Sequence, residues 1–298
     1  MPSKGKGSIK RLMQGGVAAA VLTASSFGAY AANINISVAS NFYISGVAGN
    51  SPIADIIAAF QTANPGSTVT VVQNGSTGTL ESQITGGNSL GVDLFLAADT
   101  AHPQDLVTNH FSLVVGNPFN YAIGTLVFWS NTSGVNVTCS SGGSCGYDSG
   151  TYLNVAIADP STAPYGVAAN TVLTGRYGLN PPLSTNPLVS EFSNIDTTFA
   201  AVQNQTVTVG FVALSQICHA GSYPTSGSAL VYPPTDTSVS PVVFNYNPIV
   251  QAGIRIARSR TTDQNAELDA FVAYLTDHTT SPPSQMITTL TSYCYSVP

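Results

Sequence analysis

The stretch STVTVVQNGSTGTLESQI, residues 67–84, changes character once, and that change decides how the chain is read. Its first half is dense in β-branched residues and reads as a strand, while Thr79 to Ile84 is a helix-compatible run. Between them Gly75, Ser76, Thr77 and Gly78 set backbone N–H groups and two hydroxyls at the start of the helix. The positive end of a helix attracts an anion without help from Lys or Arg. The ordinary reading of such a turn is a helix cap and no more. Taken alone, the stretch leaves both open.

Working outward, NINISVAS (33–40) is an apolar, alternating strand. SPIADIIAAFQTAN (51–64) carries a Ser N-cap, Pro at the first helical position and apolar residues at helical spacing, and VDLFLAAD (92–99) reads as a buried strand. This β-α-β-α-β order predicts a mostly parallel sheet whose functional loops gather at the strand C-termini. A second set follows. AIGTLVFWS (122–130), LNVAIADP (153–160), TVTVGFVALSQI (206–217) and PIVQAGIRIARS (248–259) read as strands, while APYGVAANTVLTGRYG (163–178) and DQNAELDAFVAYLTDH (263–278) read as helices. Gly221 to Pro241, rich in Ser, Pro, Thr and Gly, is expected to be an irregular surface loop. The chain exceeds the roughly 150 residues of one average domain, which points to two lobes.

Lys4, Lys6, Lys10 and Arg11 precede the apolar Val17–Leu22, and Ala29-Tyr30-Ala31 has the small residues of a cleavage site, so residues 1–31 are expected to be a secretory signal peptide. Beyond it only Arg176, Arg255, Arg258 and Arg260 face the fourteen Asp and Glu, a net charge of −10 (4 − 14). Nucleic acid and anionic membranes are poor partners for such a surface. No later apolar run is long enough to span a bilayer, so a periplasmic or extracellular location is expected. The low charge density also suits an acidic setting, because few groups remain whose titration could unfold the protein.

Cys139, Cys145, Cys218 and Cys294 suit an oxidising compartment, and four cysteines allow three pairings. CSSGGSC (139–145) can close locally, which leaves Cys218 to pair with Cys294. No spacing is C-x-x-C, and no metal centre is expected. Catalysis is not expected either. His102, His110, His219 and His278 are scattered, there is no G-x-S-x-G, and Glu267 and Asp269 read as a solvated helix face.

In order, VASNF (38–42), NGSTGTLESQI (74–84), DLFLAADTAHPQDL (93–106), VAIADPSTAPYGVAA (155–169), GFVALSQ (210–216) and AELDAFVAYL (266–275) resemble the molybdate-binding proteins of ABC transporters. The resemblance implies an α/β, two-lobed type II periplasmic-binding-protein fold, each lobe a mostly parallel sheet flanked by helices. Lobe 1 would be 32–117 plus 244–298 and lobe 2 118–243, hinged at 117–122 and 240–247. It further implies an exported receptor that captures molybdate or tungstate for a membrane permease, as a monomer, with no cofactor beyond the bound anion. In that family hydroxyls and backbone N–H groups hold the anion. Ser40 falls on the first hydroxyl and Thr77, with Ser76 beside it, on the second; Tyr165 and Ile195 fall on backbone N–H donors. Two departures stand out: the extra residues YISGVAGN (43–50), which set the first helix back from Ser40, and Ala213, where some members place a ligand Tyr. Sulfate or phosphate is the alternative ligand, and an extracellular structural or adhesive protein the alternative use of the fold.

Overall fold

The computed structural model describes Met1 and residues 32–44, 51–138, 146–148, 150–238 and 240–298. The expected signal peptide, the Cys139–Cys145 pairing and inserted residues 45–50 lie outside the described residues.

From the N-terminal side the elements run β1 (Asn33–Ala39), α1 (Pro52–Ala63), β2 (Thr68–Gly75), α2 (Thr77–Thr85), β3 (Leu94–Leu96), α3 (Ala101–Asn109) and β4 (Val114–Gly124). Next come β5 (Leu126–Ser130), β6 (Val155–Ala158), α4 (Pro164–Gly175), β7 (Val189–Phe192), α5 (Ile195–Gln203), β8 (Val209–Ala213) and β9 (Ser228–Tyr232). The short pair β10 (Thr235–Asp236) and β11 (Val243–Phe244) precedes β12 (Ile249–Ile256), α6 (Thr262–Leu275) and α7 (Gln285–Ser292). The larger sheets have the orders β2-β1-β3-β12-β4 and β7-β6-β8-β5-β9.

Each sheet is mixed. β1 is parallel to β2 and β3, and β6 to β7 and β8, as the β-α-β pattern predicts; β12 and β4 in the first sheet, and β5 and β9 in the second, add antiparallel pairs. Successive residues of β5 serve opposite faces, Leu126 and Phe128 packing with Tyr165 and Phe211, Val127 and Trp129 with Phe199 and Val202. In the first sheet Leu94 and Leu96 join Phe60 and Phe271, while Phe95 joins Leu80 and Ile254. Two apolar faces per sheet demand a helix layer on each side, and full burial of each such side chain is worth about 1.5–3 kcal/mol.

Three expectations are corrected. Residues 122–130 are two strands: β4 pairs with β12 as far as Gly124, and β5 starts at Leu126 in the other sheet. The break is invisible in the apolar pattern because both sides of Thr125 are extended. The stretch from Gly221 to Pro241 is not wholly irregular, since β9 pairs with β5 from Ser130↔Ser228 to Leu126↔Tyr232 and Tyr232 is buried. Glu267 is not solvated: it is 4% exposed, and Ser67 Oγ donates to its Oε2 at 2.7 Å. Asp269, two residues later and therefore on the opposite face of the helix, does remain exposed beside Arg255. Cys218, past β8, is disulfide-bonded to Cys294, past α7, with Cα atoms 6.0 Å apart. No helix among the described residues is long and apolar enough to cross a membrane.

Candidate functional site

The C-terminal ends of β1 and β2, Ala98 beyond β3, and the starts of α2, α4 and α5 meet at one small cavity. Sites for drug-sized ligands occupy roughly 300–1,000 Å³, and this cavity, with room for little more than one small ion, is far below that range. Ser40, Ser76, Thr77, Tyr165 and Ile195, the five residues expected from sequence, all line it. Asn41 lines it as well, and the remaining walls are small: Ala39, Gly75, Ala98, Ala163 and Pro164. No charged side chain is among them.

Each residue is placed by local geometry. Ser40 leaves β1 in a turn closed by the Phe42 N–H to the Ala39 carbonyl at 2.9 Å, and its own N–H donates to the Gly75 carbonyl at the end of β2, also 2.9 Å. Ser76 is the extended N-cap of α2, with its Oγ 2.7 Å from Thr79 Oγ1. Thr77 is fully buried and its Oγ1 accepts from the Ala98 N–H at 3.1 Å. A hydroxyl carries a single proton, so that acceptor contact leaves the Thr77 O–H free to donate elsewhere.

In the other sheet, Pro164 takes the first position of α4, where its missing N–H costs nothing, and Tyr165 follows in the first turn. Ile195 begins α5. The N-cap Asn194 Oδ1 accepts from the N–H groups of Asp196 and Thr197 at 3.0 and 2.9 Å, and that of Ile195 is not among them. The first four N–H groups of a helix have no carbonyl partner within it. Three helix starts therefore present donors and the positive ends of their dipoles to one uncharged cavity.

The two walls touch. The Gly78 N–H in α2 donates to the Thr162 carbonyl ahead of α4, and Ser215 Oγ donates to the Asn41 carbonyl at 3.2 Å. Ala213 does not line the cavity. Its N–H donates to Gln216 Oε1 at 3.0 Å, and Gln216 Nε2 donates to the Ile195 carbonyl at 3.1 Å, so the buried amide ties the start of α5 to the end of β8. Sequence reasoning missed Gln216, whose partners lie far away in the chain, and Asn41, whose only signal is its place beside Ser40. Among the described residues no group of His, Cys, Asp or Glu is arranged to hold a metal ion.

The sequence profile of the bacterial extracellular solute-binding proteins matches residues 44–282. The chain belongs to that family. Among the relatives of this solute-binding protein is the molybdate-binding protein ModA of Azotobacter vinelandii, 31% identical over 247 residues, 83% of this chain and 85% of the relative. ModA of Rhodobacter capsulatus is 35% identical over 215 residues, 69% of this chain and 74% of the relative. The solved periplasmic molybdate-binding protein of A. vinelandii superposes with a TM-score of 0.68 at 26% identity, covering 89% of this chain and 99% of that one. The relatives are thus solute-binding proteins, one of them periplasmic by name, and the two-sheet α/β architecture is theirs.

Proposed function

We propose that this solute-binding protein captures a tetrahedral oxyanion, molybdate or tungstate, and delivers it to an ABC-transporter permease. The observation that carries the reading is the convergence of Ser40, Ser76, Thr77, Tyr165 and Ile195, from separate elements, on one small uncharged cavity at three helix starts. The relatives named for molybdate support the choice of anion. Hydroxyls of Ser40, Ser76 and Thr77 and the first-turn N–H groups of Tyr165 and Ile195 would donate to the oxygens. With no carboxylate in the lining, an oxyanion that carries a proton finds no charged acceptor for it, which disfavours hydrogen phosphate.

The chain then works as two lobes that part at Thr125 and ahead of Ile249, later than the boundaries at 117/118 and 243/244 that the resemblance implies. Closure brings Gly78 to Thr162 and buries the anion, where low dielectric strengthens each donor contact. The protein acts as a monomer without catalysis or cofactor, and residues 1–31 direct its export, so the mature N-terminus is Ala32. Calorimetric titration of the ligand-stripped protein with molybdate, tungstate, sulfate and phosphate tests the reading. Tight binding of the first two and weak binding of the others is the expected result; no binding of any of the four overturns it.

A further inference from the structure

The C-terminal segment Tyr293–Ser296 holds something different with each residue. Tyr293 Oη donates to Asp55 Oδ2 in α1 at 2.7 Å, and Cys294 is bonded to Cys218 of the second lobe. Tyr295 Oη donates to the Asn41 carbonyl and accepts from Asn41 Nδ2, both at 2.9 Å. Ser296 exchanges both backbone hydrogen bonds with Ile123, at 2.8 and 3.0 Å, just before β4 ends. The segment therefore links the first lobe, the strand that leaves it and the second lobe.

Asn41 is fully buried and lines the cavity next to Ser40. Tyr295 grips both its side chain and its carbonyl, and the Tyr295 ring meets Phe42 edge-on, centroids 5.3 Å apart. The first helix does not begin until Pro52, so the turn that carries Ser40 is not the start of a helix and takes its support from elsewhere. Donor atoms in a rigid site must be held to about half an ångström by the groups behind them. A second observation concerns the backbone: Cys294 has φ +58°, a left-handed conformation that any residue with a Cβ resists unless its surroundings impose it. What surrounds it is the disulfide on one side and the Ser296–Ile123 pair on the other.

We propose that Tyr295 is a positioning residue of the anion cavity, and that the Cys218–Cys294 bond keeps it seated against Asn41. The ligand arm of its test rests on the oxyanion reading; the exchange arm does not. Hydrogen exchange is followed at the amides of residues 38–44 in ligand-free protein, and molybdate is titrated calorimetrically, for the parent, Tyr295→Phe, Cys218→Ser with Cys294→Ser, and the triple variant. Thermal midpoints confirm that each folds. Tyr295→Phe and the double serine variant are each expected to speed exchange and to raise the molybdate Kd by about tenfold, the scale of one lost hydrogen bond in a buried network. The triple variant is expected to bind no more weakly than either, because two changes acting through one contact do not add. Parent-like exchange in Tyr295→Phe overturns the proposal whatever the cavity binds, and fully additive losses remove the disulfide from it. Failure of the parent to bind any anion, with exchange changed as expected, sinks only the oxyanion reading.

Discussion

The Gly78 N–H donates to the Thr162 carbonyl at 2.9 Å, and this contact seals the first turn of α2 against the loop that leads into α4. A Cβ at residue 78 would stand 3.3 Å from both Thr162 Cα and His102 Nε2, so only glycine lets the two walls come this close without adjustment. The cavity lies between those walls, so on the proposed reading the seal would help to retain the anion.

Gly78→Val is accordingly expected to hold the walls apart. Loss of the hydrogen bond alone should raise the molybdate Kd by about three- to tenfold, with most of the change in a faster dissociation rate. Stopped-flow release of the anion checks this. Parent-like release would mean that the seal contributes nothing to retention.

Thr77 and Ser40 should respond differently to loss of the hydroxyl. Thr77 Oγ1 accepts the Ala98 N–H, so Thr77→Val leaves a buried donor unpartnered and is expected to cost about 1–3 kcal/mol of stability besides affinity. Thr77→Ser keeps the acceptor and should restore most of both. Ser40→Ala is expected to weaken binding while moving the thermal midpoint less than Thr77→Val does. Paired melting and titration of the three variants separates the two roles.

The glycine at the crossing from β4 to β5 is a further sensitive point. A Cβ on Gly124 would fall 2.0 Å from Tyr165 Oη and 2.9 Å from Gln251 Nε2. Tyr165 is fully buried, and its ring is rigid, so Gly124→Ala must displace the first turn of α4 or the crossing strand. Overpacking of this kind is expected to cost about 1–3 kcal/mol and, because Tyr165 lines the cavity, to weaken anion binding with it. Denaturant melts and titration report the two effects, and Gly124→Ala combined with Tyr165→Phe, which removes the hydroxyl in the way, should recover part of both.

Much of this was legible in the residues because the relevant signals are local. NGSTG, APYG and the end of NINISVAS are turn chemistry at strand C-termini, and the resemblance placed their residues at one cleft; the fold brings all five to one cavity. What stayed hidden depends on partners distant in sequence. Thr125 follows Gly124 between two apolar, β-compatible runs, and one Gly-Thr pair inside a strand-like stretch does not by itself announce a change of sheet. SALVY (228–232) is a short strand submerged among Pro, Ser and Gly, stabilised by β5 rather than by its own composition. Glu267 reads as solvated on its helix but is buried, its carboxylate accepting from Ser67, 200 residues away in the chain. Gln216 and Tyr295 owe their roles to contacts with Ile195 and Asn41, which no spacing announces.

His102 should make both stability and binding depend on pH. Its Nδ1 is 2.7 Å from Asp99 Oδ2, and Nε2 lies 4.0 Å from Glu81 Oε2. Burial opposes the imidazolium, but Asp99, Glu81 and Asp105 outweigh it and raise the pKa above the ordinary 6.5. A raised folded-state pKa contributes stability that is complete below the unfolded value and disappears as pH rises through the folded one. Glu81, raised by its own burial against the pull of His102, acts with the same sign at lower pH. The thermal midpoint is therefore expected to fall as pH rises from 6.5 through the folded pKa of His102, and His102→Gln should remove that step. The same charge lies beside the first turn of α2, where it adds to the helix dipole, so the anion should bind more tightly at about pH 6 than at about pH 8. Salt should shrink the difference, because an exposed fraction of the charge is screened. If His102→Gln keeps the parent's ratio of affinities at the two pH values, the dependence belongs to another group and His102 serves only to cap α3 through Asp99.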